Sequence, residues 1–371
     1  MSCPTNVAAQ LQQVMVQLKR GVGYITSDHD TAAKFILAAI KADKQDNYNF
    51  SPTLLNESEW VGFLKSVVTL PPPAQEKFII MGAHWTAGEI EVLDNGKVNI
   101  FLSDSLGCNV NGLGYFFKDL INSIESHQAL NNHVVDIYYP LNVRQNNSQG
   151  CSFYALDDVR HFHTMERYMT GQTLFSSLEN TEKKIIPIAT HIQLKICPLP
   201  DALLRTTQSR SVLDRLQNDV INKKGKLSKQ STESFFSLNP STQKMENQRL
   251  NYKAQKMIDR IDHHFLNIIQ SDDPQKNLDK FMVMTNEHSF SAFQIRAARL
   301  ASENRANPER GSSISIESPN INRSESVVKT KETVVSDVQL CINKTVAFKK
   351  EIIARTLSES QNLNTTYPKI K

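Results

Sequence analysis

The thirty residues FIIMGAHWTAGEIEVLDNGKVNIFLSDSLG, Phe78 to Gly107, decide how this chain is read. Phe78–Met81 is a short apolar run. Ile90 and Val92 lead into Asp94-Asn95-Gly96, and Val98, Ile100 and Leu102 follow at every second position. An Asn-Gly turn between two alternating runs is a strong hairpin signal. His84 follows the first strand and Asp104 ends the last, so adjacent strands can hold an imidazole and a carboxylate side by side.

Elements of mixed type surround this hairpin. A helical pattern near Glu57–Leu70 stops at Pro71-Pro72-Pro73, because proline lacks the backbone donor that a helix needs. Gly112–Ile124 has helical spacing, and Val134–Tyr139 reads as a strand stopped by Pro140. Cys151 opens a helix that runs to about Tyr168. A last strand over Ile185–Ile188 contains Pro187, which confines it to a sheet edge. The expected class is α+β, with a mixed central sheet and flanking helices.

Three regions are expected. Residues 1–50 form a helical segment, with Val7, Leu11, Val14, Met15 and Leu18 on one face of a first helix and Phe35, Ile36 and Ala39 in a second. Residues 51–200 form the core. Residues 201–371 form a helical accessory region, with patterns over 202–221, 244–270, 274–299 and 327–357 and a serine- and asparagine-rich linker near 306–326.

Composition excludes several classes. The chain has 371 residues, 40% of them hydrophobic and 22% charged, as in an ordinary globular protein. A net charge of +4 and the lack of a nucleic-acid motif argue against nucleic acid as a partner. No apolar run approaches the ~20 residues of a membrane span. Five scattered cysteines, none in CxxC spacing, argue against a disulfide framework, and zinc is not expected because His161 and His163 have no cysteine or carboxylate partner at ligand spacing.

Cys151 gathers what a thiol nucleophile needs. An isolated thiol, with a pKa of about 8.5, is mostly protonated at neutral pH. A helix N-terminus and a neighbouring imidazole both favour the thiolate. The imidazole in turn needs a carboxylate to fix its tautomer. Gln145, six residues before Cys151, offers an amide donor for an oxyanion. Each residue alone has an ordinary explanation: a packed cysteine, a structural histidine, an aspartate opening a turn, a solvated glutamine. Their order and their predicted elements agree jointly. Cys108 lacks a helix start and a preceding glutamine, so it is expected to be structural.

The segment from Phe78 to Tyr168 resembles the Ulp/SENP-type cysteine proteases. Their clan also holds adenoviral proteinase, bacterial effector deubiquitinases and the YopJ-type acetyltransferases. His84-Trp85-Thr86 is similar to the family's His-Trp-Ser strand, and Asp104-Ser105-Leu106-Gly107 to its Asp-Ser-(Leu/Met)-Gly segment. Gln145 and Asn147 match its Gln-x-Asn pattern. Gly150-Cys151-Ser152 departs from the usual Asp-Cys-Gly.

The resemblance implies a papain-like, adenain-type core. It implies a thiol isopeptidase with Cys151 as nucleophile, His84 as base, Asp104 as orienting acid and Gln145 at the oxyanion, needing no metal or organic cofactor. It further implies ubiquitin or a ubiquitin-like modifier as partner, with Trp85 walling the tunnel for the modifier's Gly-Gly tail. A deubiquitinase is the leading expectation, and a protease for SUMO or a NEDD-type modifier is the second. Acetyl transfer from acetyl-CoA is the third, placed lower because YopJ-type members typically carry glutamate as the acid and lack the tryptophan. Lys-, Asn-, Ile- and Ser-rich usage together with a eukaryotic-type target suggests an effector delivered by a bacterium into the host cytoplasm. The region after Pro200 is then a candidate arm for a host protein target.

Overall fold

A computed structural model describes residues 30–43, 50–82, 84–107, 132–145, 150–168, 174–204, 206–209, 236–238 and 245–306, together with Ile124, Leu130, Val212 and Leu213. The helices expected at 6–20 and 327–357, the linker at 306–326, nearly all of 112–124 and Cys108 lie outside these residues.

The chain runs α1 (Asp30–Ala42), β1 (Thr53–Asn56), α2 (Trp60–Val67), β2 (Ala74–Met81), β3 (Thr86–Val92), β4 (Val98–Ser103) and β5 (Val135–Pro140). It continues through α3 (Cys151–Tyr168), α4 (Leu174–Glu179), β6 (Lys184–Ala189), β7 (Ile192–Cys197) and the short α5 (Asp201–Leu204). A small hairpin, β8 (Phe236–Leu238) and β9 (Met245–Asn247), precedes α6 (Gln248–Ile269), α7 (Pro274–Asn286) and α8 (Phe290–Ala306).

Seven strands form one sheet in the order β1-β2-β3-β4-β5-β7-β6. The β1–β2, β4–β5 and β5–β7 pairs are parallel and the others antiparallel. The fold is therefore the expected α+β, with a mixed central sheet and flanking helices.

Strand alternation puts successive side chains on opposite faces. Along β2, Ile79 and Met81 enter one apolar core while Phe78 and Ile80 enter the other. Both faces are covered, which is why β4 and β5 are buried along their whole length. The β3–β4 turn is the one expected: Gly96 has φ +76, its N–H donates to the Leu93 carbonyl at 2.8 Å, and Asn95 Oδ1 accepts from Lys97 N at 3.0 Å.

The edge expected at Pro187 is β6, which among the described residues pairs only with β7 and shifts register between Pro187 and Ala189. Strands β1 and β7 were not anticipated.

Helices C-terminal to residue 245 pack onto the rest of the chain. Phe35 of α1 meets Phe265 of α6 edge-on at 5.6 Å and stacks on Phe281 of α7 at 5.7 Å. Asp273 caps α7 by accepting from Lys276 N, with Pro274 in the first turn where a missing N–H costs nothing. From α8, Phe293 lies 4.7 Å from Phe63 of α2, centroid to centroid. Leu54 N of β1 donates to the His288 carbonyl at 2.7 Å. None of the described helices is long and apolar enough to cross a membrane.

Candidate active site

The β3–β4 register sets the site. Ala87 pairs with Ser103, so His84, three residues before Ala87, and Asp104, one after Ser103, leave the sheet at the same end. His84 Nε2 donates to Asp104 Oδ1 at 2.8 Å. Nδ1 is the nitrogen then left for the thiol of Cys151, with which the imidazole also hydrogen-bonds. Cys151 starts α3, which packs across β2 and β3.

Electrostatics separate this thiol from an ordinary one. Burial disfavours the thiolate of Cys151, but the hydrogen bond and charge of His84 outweigh it, helped by the backbone N–H groups of Trp85 and Ser152, and the pKa falls below the usual thiol value. Cys197 is the contrast. It is 0% exposed, and burial pushes its thiol up to about 12.

Burial likewise disfavours the imidazolium of His84, yet Asp104 and then Cys151 raise it to about 10. Burial also opposes ionisation of Asp104. His84, the Tyr139 hydroxyl and the Leu106 N–H overcome it and hold the carboxyl below its usual range. Both partners therefore point to a thiolate–imidazolium pair beside an ionised carboxylate.

Gln145 is 3% exposed and tied to the same strand end. Ser105 Oγ donates to its Oε1 at 2.6 Å, and its backbone N–H donates to the Ser105 carbonyl at 2.9 Å. Anchoring the oxygen fixes which end of the amide is the donor, the nitrogen.

Trp85 is placed differently from expectation. Its ring is 1% exposed and belongs to the core beneath the sheet. Its backbone N–H, rather than its ring, is what addresses the Cys151 sulfur. Gly150, before the cysteine, has φ +93. The left-handed position favouring glycine thus precedes Cys151, where the Asp-Cys-Gly pattern has its glycine after the cysteine.

Two contributors escaped the sequence. Tyr139, inside an ordinary alternating strand, donates its hydroxyl to Asp104 Oδ2 at 2.6 Å. Arg144, next to Gln145, is 0% exposed and makes a two-point ion pair with Asp158 of α3. Nothing local marked either, since their partners are distant in the chain. Among the described residues no group of three or more His, Cys, Asp or Glu side chains is placed to hold a metal ion.

Comparison with known proteins gives the family. The model of the YopJ serine/threonine acetyltransferase family matches residues 7–291. No curated protein matches the sequence. Among solved structures, an AvrA deletion variant with IP6 and CoA aligns at 13% identity with a TM-score of 0.45, covering 68% of this chain and 98% of its own. HopZ1a in complex with IP6 aligns at 12% and 0.44, covering 68% and 97%. HopZ1a with IP6 and CoA aligns at 12% and 0.42, covering 69% and 98%.

The family match overturns the isopeptidase expectation. The thiol protease, its ubiquitin, SUMO or NEDD-type partner and the Gly-Gly tunnel at Trp85 are corrected to acetyl transfer, the third reading from the sequence. The clan-level resemblance stands. The physical reason is that Cys, His and Asp build an acyl-thioester either way. The group that is carried and the acceptor that takes it are chosen elsewhere, and neither aspartate in place of glutamate nor a tryptophan after the histidine decides between them.

Proposed function

The chain belongs to the YopJ serine/threonine acetyltransferase family, and from that premise we propose that Cys151 accepts an acetyl group from acetyl-CoA and passes it to a hydroxyl or amine of a host protein. What supports this is the hydrogen bond of His84 to Cys151, which lowers the thiol's pKa, and the 2.8 Å contact of His84 Nε2 with Asp104 Oδ1.

The thiolate attacks the acetyl carbonyl carbon. The C–S bond to CoA breaks, and protonated His84 gives its proton to the departing CoA sulfur. Gln145 and a backbone N–H at Cys151 hold the oxyanion in both half-reactions; losing one such donor costs ~10²–10³ in rate. In the second half the acceptor oxygen or nitrogen attacks the thioester. His84 takes its proton, and Cys151 leaves as thiolate, ready for the next cycle. Acetyl-CoA is a substrate here, consumed each turn. As a member of an effector family, the protein would meet its acceptors inside a host cell after delivery by a bacterium.

The test is incubation of the full chain with acetyl-CoA, followed by intact-mass and peptide analysis. IP6, named with each of those solved structures, is added in a parallel arm. The expected result is one acetyl group on Cys151, discharged onto serine, threonine or lysine of the chain or of an added acceptor, and lost in Cys151→Ala. Acetylation that persists in Cys151→Ala, or none in either arm, rejects the reading.

A further inference from the structure

We propose that the Arg144–Asp158 ion pair is a positioning clamp for this site, setting the nucleophile's helix against the two segments that carry the carboxylate and the amide. The proposal rests on the acyl-transfer reading above for its effect on rate, though not for its effect on the thiol.

Both terminal nitrogens of the guanidinium are engaged, while the buried Nε has no partner among the described residues. Arg144 Nη1 donates to Asp158 Oδ1 at 2.7 Å and Nη2 to Asp158 Oδ2 at 2.6 Å. Nη1 also donates to the Leu203 carbonyl at 3.2 Å and Nη2 to Ser103 Oγ at 3.0 Å. All four Nη hydrogens are thereby committed. Ser103 Oγ in turn donates to Asp158 Oδ2 at 2.7 Å, closing a ring of three residues. Arg144 and Asp158 are 0% and 1% exposed.

What this ring joins is the argument. Ser103 immediately precedes Asp104, and Arg144 immediately precedes Gln145. Asp158 lies about two turns along α3 from Cys151, on the same side of the helix. One buried salt bridge therefore connects the neighbours of the acid, the amide donor and the nucleophile.

The backbone repeats the pattern. Arg144 N and Gln145 N both donate to the Ser105 carbonyl, at 2.8 and 2.9 Å. The Tyr154 hydroxyl, one turn into α3, reaches the Arg144 carbonyl at 3.0 Å. The Arg144 guanidinium also lies 5.1 Å from the Tyr154 ring centroid.

Stability alone is a poor reason for such a pair. Desolvating two charges is costly, and well-packed apolar residues of similar volume often serve equally well. A two-point fork, however, defines distance and angle as apolar contacts do not. An error of about 1 Å at a catalytic group can cost ~10² in rate.

Arg144→Lys keeps the charge and removes the fork. Three readouts separate positioning from folding: the thermal melt, the pH profile of Cys151 alkylation by iodoacetamide, and kcat and KM for acetyl-CoA. The expected result is a cooperative melt, an alkylation profile displaced to higher pH, and kcat down ~10²-fold with KM within about twofold. Should Arg144→Lys fail to fold, Ser103→Ala keeps the ion pair and cuts its link to Asp104; it should lower kcat about tenfold with a cooperative melt.

An alkylation profile superimposable on the parent's in a folded variant, or a loss of kcat equal to the loss of folded protein, overturns the proposal. Alkylation needs no acetyl-CoA, so a parent chain that transfers no acetyl group would sink the acetyl-transfer reading while leaving this arm decisive.

Discussion

Tyr139 donates its hydroxyl to Asp104 Oδ2 at 2.6 Å, on the carboxylate oxygen opposite the one that holds His84. With Leu106 N also donating to Oδ1 at 2.8 Å, the carboxylate is fixed in plane and kept ionised. Tyr139→Phe removes one hydrogen bond to a buried charge, worth about 1.5–3 kcal/mol. The expected outcome is a roughly tenfold or greater loss of kcat for acetyl transfer, with the fold intact by circular dichroism.

Asp104→Asn tests the orienting acid directly. An amide cannot balance the imidazolium, and it leaves the ring in the wrong tautomer, a change that costs up to ~10⁴ in a comparable triad. The reactive pair exists from the lowered thiol pKa of Cys151 up to the His84 value of about 10. Alkylation of Cys151 should therefore rise at a lower pH than that of an ordinary thiol. In Asp104→Asn the imidazolium loses its partner, and the rise of the alkylation curve should move toward the ordinary thiol value of ~8.5. Cys197, pushed up to about 12, should stay unlabelled throughout and serves as an internal control.

His288 gives a separate pH dependence, of stability rather than chemistry. It is 0% exposed, and its Nδ1 bonds the Pro52 carbonyl at 2.9 Å. Burial lowers its pKa to about 4 against the opposing pull of that carbonyl, with Lys41, Glu287 and Arg296 as the charged groups around it. The unfolded chain binds this proton near pH 6.5 and the folded one only near 4, so stability is complete above 6.5 and falls as pH drops toward 4. The loss reaches about 3 kcal/mol at most. Melting curves between pH 7.5 and 4.5 should show it, and His288→Phe should flatten it.

Phe293 of α8 belongs to the core that α2 and one face of the sheet share. It is 0% exposed, with Phe63 at 4.7 Å and the Arg296 guanidinium at 5.3 Å from its ring. Phe293→Ala should destabilise the chain by ~3–5 kcal/mol through the cavity it leaves. Chemical denaturation checks this; a change under about 1 kcal/mol would mean that α8 contributes little to the core.

The hairpin, the His84–Asp104 pair and the helix start at Cys151 were legible because each has a local signature: an Asn-Gly turn, period-two alternation, a glycine before a helical run. Strand β1 was not, because four residues, Thr53–Asn56, are too few to display a period. Strand β7 alternates Ile192, Leu194 and Ile196, yet it buries Lys195 against Asp136 and Glu179, which made the run look half solvated. Tyr139, Arg144 and Ser105 gained their roles only when the sheet brought distant residues together. The proposed acetyl acceptor was illegible for a chemical reason: a Cys-His-Asp triad that prepares a thioester is indifferent to what next attacks it.

The turn at Asn95-Gly96 sits at the far end of the hairpin from the imidazole, yet it works as a gauge for it. Strand registry is counted outward from that bend, so Ala87 faces Ser103 only because the loop holds the right number of residues. One extra residue there, if it slipped the pairing, would turn Asp104 to the opposite side of the sheet and leave His84 with no partner to hold. The spacing of the imidazole and the carboxylate is thus metered by a surface bend remote from both.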